Sequence, residues 1–173
     1  MSQVTKYKGF SKLYFIKILK EIIKIGSLRN SKKKILDYGC GEKYLEKLLK
    51  KKIINYDITP FYNETKNINS IKYDIIVMNH ILMYLSKSNI QKLFDKIHKK
   101  NKKCKIIIGL GKQNILSKIL KNLTFNFNAH TGTKSNYNEQ LLIIKKNMQI
   151  LDSKKNIFYM TDIFFTKFRK DKN

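Results

Sequence analysis

The chain has 173 residues, and its 37 lysines and arginines against 12 acids give a formal charge of +25. That length supports one domain with a complete core. No run of about eighteen apolar residues occurs, which excludes a membrane-spanning helix. The start, MSQVTKYKGF, lacks a signal-peptide core. Two cysteines, Cys40 and Cys104, exclude a disulfide framework and point to a reducing, cytoplasmic compartment. The charge suggests nucleic acid. Yet 35 of the 37 basic residues are lysine, with only Arg29 and Arg169 as arginines, and they are spread along the whole chain among many asparagines and isoleucines. Arginine is the preferred reader of bases and phosphates, so the pattern reads as a coding bias. Nucleic acid is the less favoured partner, and an anionic substrate or surface is the expected consequence of the charge at low salt.

Residues 11–25, SKLYFIKILKEIIKI, have helical spacing, with Lys17, Lys20, Glu21 and Lys24 as the polar stripe. Leu13, Ile16, Leu19, Ile22 and Ile23 face elsewhere, and Gly26 ends the helix. It reads as packed on a sheet, with a lid or a membrane-surface helix as alternatives. Residues 34–41, KILDYGCG, carry an apolar strand, Ile35 and Leu36, into Asp37 and a turn with Gly39 and Gly41. A helix opens near Lys43 and runs over Tyr44–Leu49. Ligands bind outside the carboxyl ends of parallel strands. Glycine lets a backbone approach them, and the helix amides beyond the turn are unpaired donors. Lys52–Asp57 is a second strand whose terminal acid stands twenty residues after Asp37. Asp57 has two readings, an acceptor for both hydroxyls of a ribose or a turn residue before Thr59 and Pro60. Tyr44 occupies the position of the third dinucleotide-fingerprint glycine, and no GK[ST] follows, so nicotinamide, flavin and P-loop nucleotide sites are disfavoured.

Ile75–Met78 is an unbroken apolar run, as expected of a parallel strand buried on both faces. Asn79 and His80 leave it toward the crevice. His80 is either a site residue or a local hydrogen-bonding one, and Tyr84, one helical turn on, shares its face or joins the core. Ser88 caps a helix to about Asn101, with Ile90, Leu93, Phe94 and Ile97 on one face and His98 on the surface side. Ile106–Ile108 is the next strand, and Gly109 and Gly111 loosen its end. Ile115–Leu123 is amphipathic, and Phe125–Asn136 is a polar loop on the site side that carries His130. A helix over Asn138–Asn147 precedes two closing strands, Met148–Leu151 and Ile157–Phe168, as an antiparallel pair. The two cysteines and three histidines show no metal-ligand spacing.

These motifs resemble the class I S-adenosylmethionine-dependent methyltransferases. The family's first motif, acid-x-Gly-x-Gly-x-Gly, is matched by Asp37-Tyr38-Gly39-Cys40-Gly41-Glu42-Lys43, with Lys43 in place of the last glycine. The family's acid after the second strand is matched by Asp57, and its fourth-strand motif by Tyr73–Leu85. Only fifteen residues separate Asp57 from Tyr73, so the intervening helix and third strand are trimmed. The adenine flank then falls at Asn67–Ser70. The resemblance implies an α/β fold: a Rossmann-like three-layer sandwich, mostly parallel, with an antiparallel C-terminal strand. Residues 1–173 form one domain, with 1–30 as an N-terminal helical segment and 31–173 as the core. S-adenosylmethionine is the implied cofactor, held by Asp37, Tyr38, Gly39, Cys40, Gly41, Asp57, Ile58 and Asn79, with His80 and His130 toward the acceptor. The acceptor is a small metabolite or a lipid-like headgroup. The alternatives are an RNA or protein methyltransferase, or a non-catalytic protein of the same fold.

Overall fold

The computed structural model describes residues 9–59, 71–112 and 132–169. His130, the adenine flank and the amphipathic segment at 115–123 lie outside them. A six-stranded sheet has the order β2-β1-β3-β4-β6-β5. Its strands are β1 (Ile35–Tyr38), β2 (Ile54–Tyr56), β3 (Ile75–Asn79), β4 (Lys105–Gly111), β5 (Met148–Ile157) and β6 (Thr161–Phe168). The first four run parallel, and β6 is antiparallel to both β4 and β5. The helices are α1 (Gly9–Ile25), α2 (Tyr44–Leu49), α3 (Lys87–Lys100) and α4 (Tyr137–Asn147).

Strand alternation sorts the apolar side chains into two cores, one on each face of the sheet. Ile35, Ile75, Val77, Ile107 and Ile163 meet α1 and α2. Leu36, Ile76, Met78, Ile106, Ile108 and Phe164 meet α3 and α4. This is the expected three-layer α/β sandwich with an antiparallel closing pair. Both faces of β3 and β4 are covered, which is why both read as continuous apolar runs.

Helix α1 packs on the sheet as expected, but its face is rotated. Ile18, Leu19, Ile22 and Ile23 are buried, whereas Leu13 is 64% exposed. The helix is apolar on more than one side, so its stripe alone does not choose which side meets the sheet. Its end also differs from expectation. The left-handed residue is Ser27, at φ 48°, and the Leu28 N–H bonds back to the Ile23 carbonyl at 2.9 Å, the 6→1 closure of a Schellman motif. Gly26 serves packing: a Cβ there would lie 2.4 Å from Ile107 Cδ1 and 2.8 Å from Leu28 Cδ2.

Other details also differ from expectation. The α3 cap is Ser86 rather than Ser88, accepting from the Asn89 N–H at 3.3 Å. The chain after β3 makes one 3₁₀ turn, Leu82–Tyr84, not an α-helix, so Tyr84 does not share a helical face with His80. It is 37% exposed. Strand β5 is longer than expected and reaches Ile157, with register shifts at Ile150/Asp152 and Lys154/Ile157. Residues 158–160 form its turn into β6. His98 is half-buried, its ring centroid 4.8 Å from that of Phe168, because α3 ends against β6.

Candidate functional site

The register brings one set of ends together. Asn79 pairs with Gly109, and Gly111 pairs with Thr161. The carboxyl ends of β1 to β4 and the start of β6 therefore share one edge of the sheet. The sequence-predicted residues Asp37, Tyr38, Gly39, Cys40, Gly41, Asp57, Ile58, Asn79 and His80 all lie along it.

The glycine loop is fastened to β2. The Gly39 and Cys40 N–H groups donate to the Tyr56 carbonyl at 2.7 and 3.1 Å. The Gly41 N–H donates to Asp57 Oδ2 at 2.9 Å, and the Thr59 N–H to Asp57 Oδ1 at 2.9 Å. These loop amides are thus turned toward β2. Asp57 holds the loop in shape; its carboxylate has about four acceptor positions, so two remain for a ligand. Gly39, at φ 87°, is required on steric grounds, since a Cβ would stand 2.7 Å from Ile81 Cδ1. Gly41 faces open space: nothing lies within 4 Å of its would-be Cβ. Lys43 precedes α2 rather than forming its first turn, with a left-handed backbone at φ 58°, ψ 36°. That conformation is why a glycine suits this position.

Asp37 is 5% exposed. Burial pushes its carboxyl up to about 7, and the neighbouring Asp57 and Glu46 charges add to the effect. Such a group gains most from a cation brought beside it. Burial, then Asp37 and Asp57, push the Cys40 thiol up to about 12, which makes it a packing residue rather than a nucleophile. The Tyr38 and Tyr56 ring centroids are 5.0 Å apart. Ile58 is 83% exposed at the rim.

At the end of β3, Asn79 has both Nδ2 and Oδ1 buried with no hydrogen-bond partner. Gly109 makes room for it, since a Cβ there would fall 2.3 Å from Asn79 Oδ1. A buried amide without partners is a costly arrangement and is the strongest local sign of a ligand position. His80 takes a left-handed φ of 56°, and its Nε2 is 2.9 Å from Thr161 Oγ1. The Tyr14 hydroxyl from α1 bonds to the same Thr161 oxygen. On the other face of β6, Asp162 is 2% exposed. It pairs with Lys112 Nζ at 2.9 Å and accepts from the Tyr137 hydroxyl at 2.5 Å. Sequence reasoning missed Tyr14, Lys112, Tyr137, Thr161 and Asp162. The one local signal was the polar pair Thr161-Asp162 opening an otherwise apolar strand.

Among the described residues, no group of three or more His, Cys, Asp or Glu side chains is placed to hold a metal ion. Within the same residues no helix is long and apolar enough to cross a membrane. Two grooves, of about 1030 and 690 Å³, lie at the opposite edge of the sheet, where the parallel strands begin. None of the motif residues lines either.

The mixed sheet between two helical layers is a fold shared with solved methyltransferase structures. The chain resembles magnesium protoporphyrin IX methyltransferase (ChlM) from Synechocystis PCC 6803 with bound SAH, at 12% identity and TM-score 0.62, over 95% of this chain and 90% of that one. It resembles the N-methyltransferase NodS from Bradyrhizobium japonicum WM9 in complex with S-adenosyl-l-homocysteine, at 11% identity and TM-score 0.63, over 91% and 88%. It also resembles a protein described as a pericyclic reaction enzyme, at 12% identity and TM-score 0.56, over 87% of this chain and 47% of that one. No protein-family model and no curated protein sequence matches the chain. At these identities the likeness establishes the fold, and one fold hosts several chemistries.

Proposed function

We propose that this protein binds S-adenosylmethionine across the ends of β1, β2 and β3 and transfers its methyl group to a small-molecule acceptor. The observation that carries the reading is Asn79, a buried amide without partners. By register it stands level with Gly39, two positions beyond the Asp37–Val77 pair. The residues fit the cofactor. Gly41 leaves space against the loop, Asp37 is a buried carboxyl suited to an ammonium, and Asp57 retains acceptor capacity toward a ribose diol. Tyr38, Cys40 and Ile58 would line the same crevice. The cofactor, when bound, supplies an activated methyl group, so the protein's part is chiefly alignment. His80, held by Thr161, would orient the acceptor side, and His130 belongs to the same proposal. Two buried cysteines outside any disulfide are consistent with a cytoplasmic setting. The lysines of the opposite edge, among them Lys32, Lys33, Lys34 and Lys72, would meet an anionic surface.

Calorimetry with S-adenosylmethionine and its demethylated product tests the binding step. Asn79→Ala should weaken the wild-type affinity about five-fold, the equivalent of about 1 kcal/mol for a lost hydrogen bond. No binding by a folded wild-type chain would end the reading. A second reading, a non-catalytic cofactor-binding protein, is favoured by two observations. Asp57 is already committed to two backbone amides, and Lys43 replaces a glycine. Tight binding with no transfer of labelled methyl to any member of a metabolite pool or to RNA would select it.

A further inference from the structure

We propose that the turn joining β5 to β6 forms the acceptor wall of this site and that it takes a planar aromatic ring. The word acceptor rests on the methyl-transfer reading above; the wall itself does not require the cofactor.

The turn is built against local preference. Its Met160 N–H closes onto the Ile157 carbonyl at 3.0 Å, and both central residues, Phe158 (φ 48°) and Tyr159 (φ 57°), are left-handed. A turn with two positive φ values favours Asn-Gly, because a Cβ crowds the following carbonyl. Here both positions carry large aromatic rings, 52% and 71% exposed. The turn geometry disfavours side chains of any size at these places, and both rings stay largely exposed. Strained, exposed side chains of this kind gather where a molecule is bound.

Their position identifies the molecule's place. Thr161, which follows the turn, pairs with Gly111 and lies against His80. The Lys112 N–H donates to the Met160 carbonyl at 2.7 Å, which ties the turn to the end of β4. The Phe158 ring meets the Tyr14 ring edge-on, with centroids 5.8 Å apart at 63°. Tyr14 in turn lies 6.4 Å from the His80 ring at 57°, and its hydroxyl is fixed on Thr161. Phe158, Tyr14 and His80 thus form a stepped row of rings from solvent to the end of β3, where Asn79 waits beside the proposed cofactor. Rings in such a row accept another ring by offset or edge contact at centroid distances of about 4.5–7 Å. Tyr14 and His80 do so with little entropy to lose, since both are held on Thr161. A saturated acceptor would gain nothing from rings here that an aliphatic side chain would not also give.

The probes are 1-naphthol and decahydro-1-naphthol, which share a skeleton and a hydroxyl but not planarity. Binding to the full chain is measured by saturation-transfer NMR and calorimetry, with and without S-adenosylhomocysteine. We expect the planar alcohol to bind at least ten-fold more tightly. The preference should vanish in the double variant F158N/Y159G, which supplies the residues the turn favours and therefore keeps the fold, and in Phe158→Leu, which keeps apolar volume without a ring. S-adenosylhomocysteine affinity should stay within two-fold in both. Equal or absent binding of the two alcohols by the wild type overturns the proposal, as does a preference that survives both variants. Variants that lose binding to anionic vesicles while keeping the naphthol preference would make the turn a lipid contact and overturn it too. A naphthol preference in a chain that does not bind the cofactor sinks the methyl-transfer reading and leaves the wall standing; the converse sinks the wall alone.

Discussion

Replacing Lys43 and Lys50 by glycine, singly and together, should stabilise this protein. The two lysines bracket α2, and both have left-handed backbones, at φ 58°, ψ 36° and φ 53°, ψ 34°. A residue with a Cβ is penalised there by about 1–2 kcal/mol. Glycine escapes that penalty but loses about 0.5–1 kcal/mol more chain entropy on folding. The difference is a gain of up to about 1.5 kcal/mol at each position. For a chain of this size that raises the melting temperature by up to roughly 6 °C. The Lys50 N–H bond to the Glu46 carbonyl, at 3.0 Å, is a backbone contact that the substitution keeps. Lys50 is exposed and Lys43 half-buried, so Lys50→Gly should show the fuller gain. Urea unfolding at pH 7 reads the effect, and the double variant should be additive within about 0.5 kcal/mol. S-adenosylmethionine affinity should not change, because the backbone at Lys43 already has the shape a glycine would give it. A loss of stability in either variant would refute the assignment of strain. A tighter cofactor in Lys43→Gly alone would show instead that the lysine side chain crowds the site.

Gly26→Ala should destabilise by about 1–3 kcal/mol, the usual cost of overpacking, because its Cβ would stand 2.4 Å from Ile107 Cδ1; a neutral result in thermal unfolding would mean that α1 is not held where it lies. Asp37 gives a pH prediction. Its carboxyl is raised from its ordinary 3.8 to about 7, chiefly by burial, so the folded chain keeps a proton that the unfolded chain has released. Stability therefore falls as pH rises from about 4 to 7, and Asp37→Asn should flatten that slope in urea titrations. If this carboxyl receives the cofactor's ammonium, S-adenosylmethionine affinity should rise as pH passes through about 7, and the variant should lose the rise. An affinity independent of pH between 6 and 8 in the wild type would remove Asp37 from that role.

Much of this protein was legible in the chain itself. The apolar runs of β3 and β4 announce strands covered on both faces, and the capped, periodic stretch of α3 announces a helix. The order of acid, glycines, second acid and Asn-His is local information, carried by spacings of a few residues. So the class of fold was readable without coordinates, as was the edge of the sheet along which the proposed site residues gather. The departures have one physical origin. Which side of α1 is buried depended on the surface it met, so Leu13 faces water and Ile18 does not. Asp57 was recognisable as a strand-end acid, but its hold on the Gly41 amide required β2 to lie beside β1. Tyr14 and Thr161 stand 147 residues apart, and His80 and Thr161 stand 81 apart; they meet because β6 inserts antiparallel beside β4 and because α1 crosses the same face. The left-handed turn at Phe158 and Tyr159 contradicts local preference outright. Periodicity and propensity act over one or two turns of chain, whereas these contacts are decided by the order of strands and the packing of layers, which fix neighbours that no local pattern encodes.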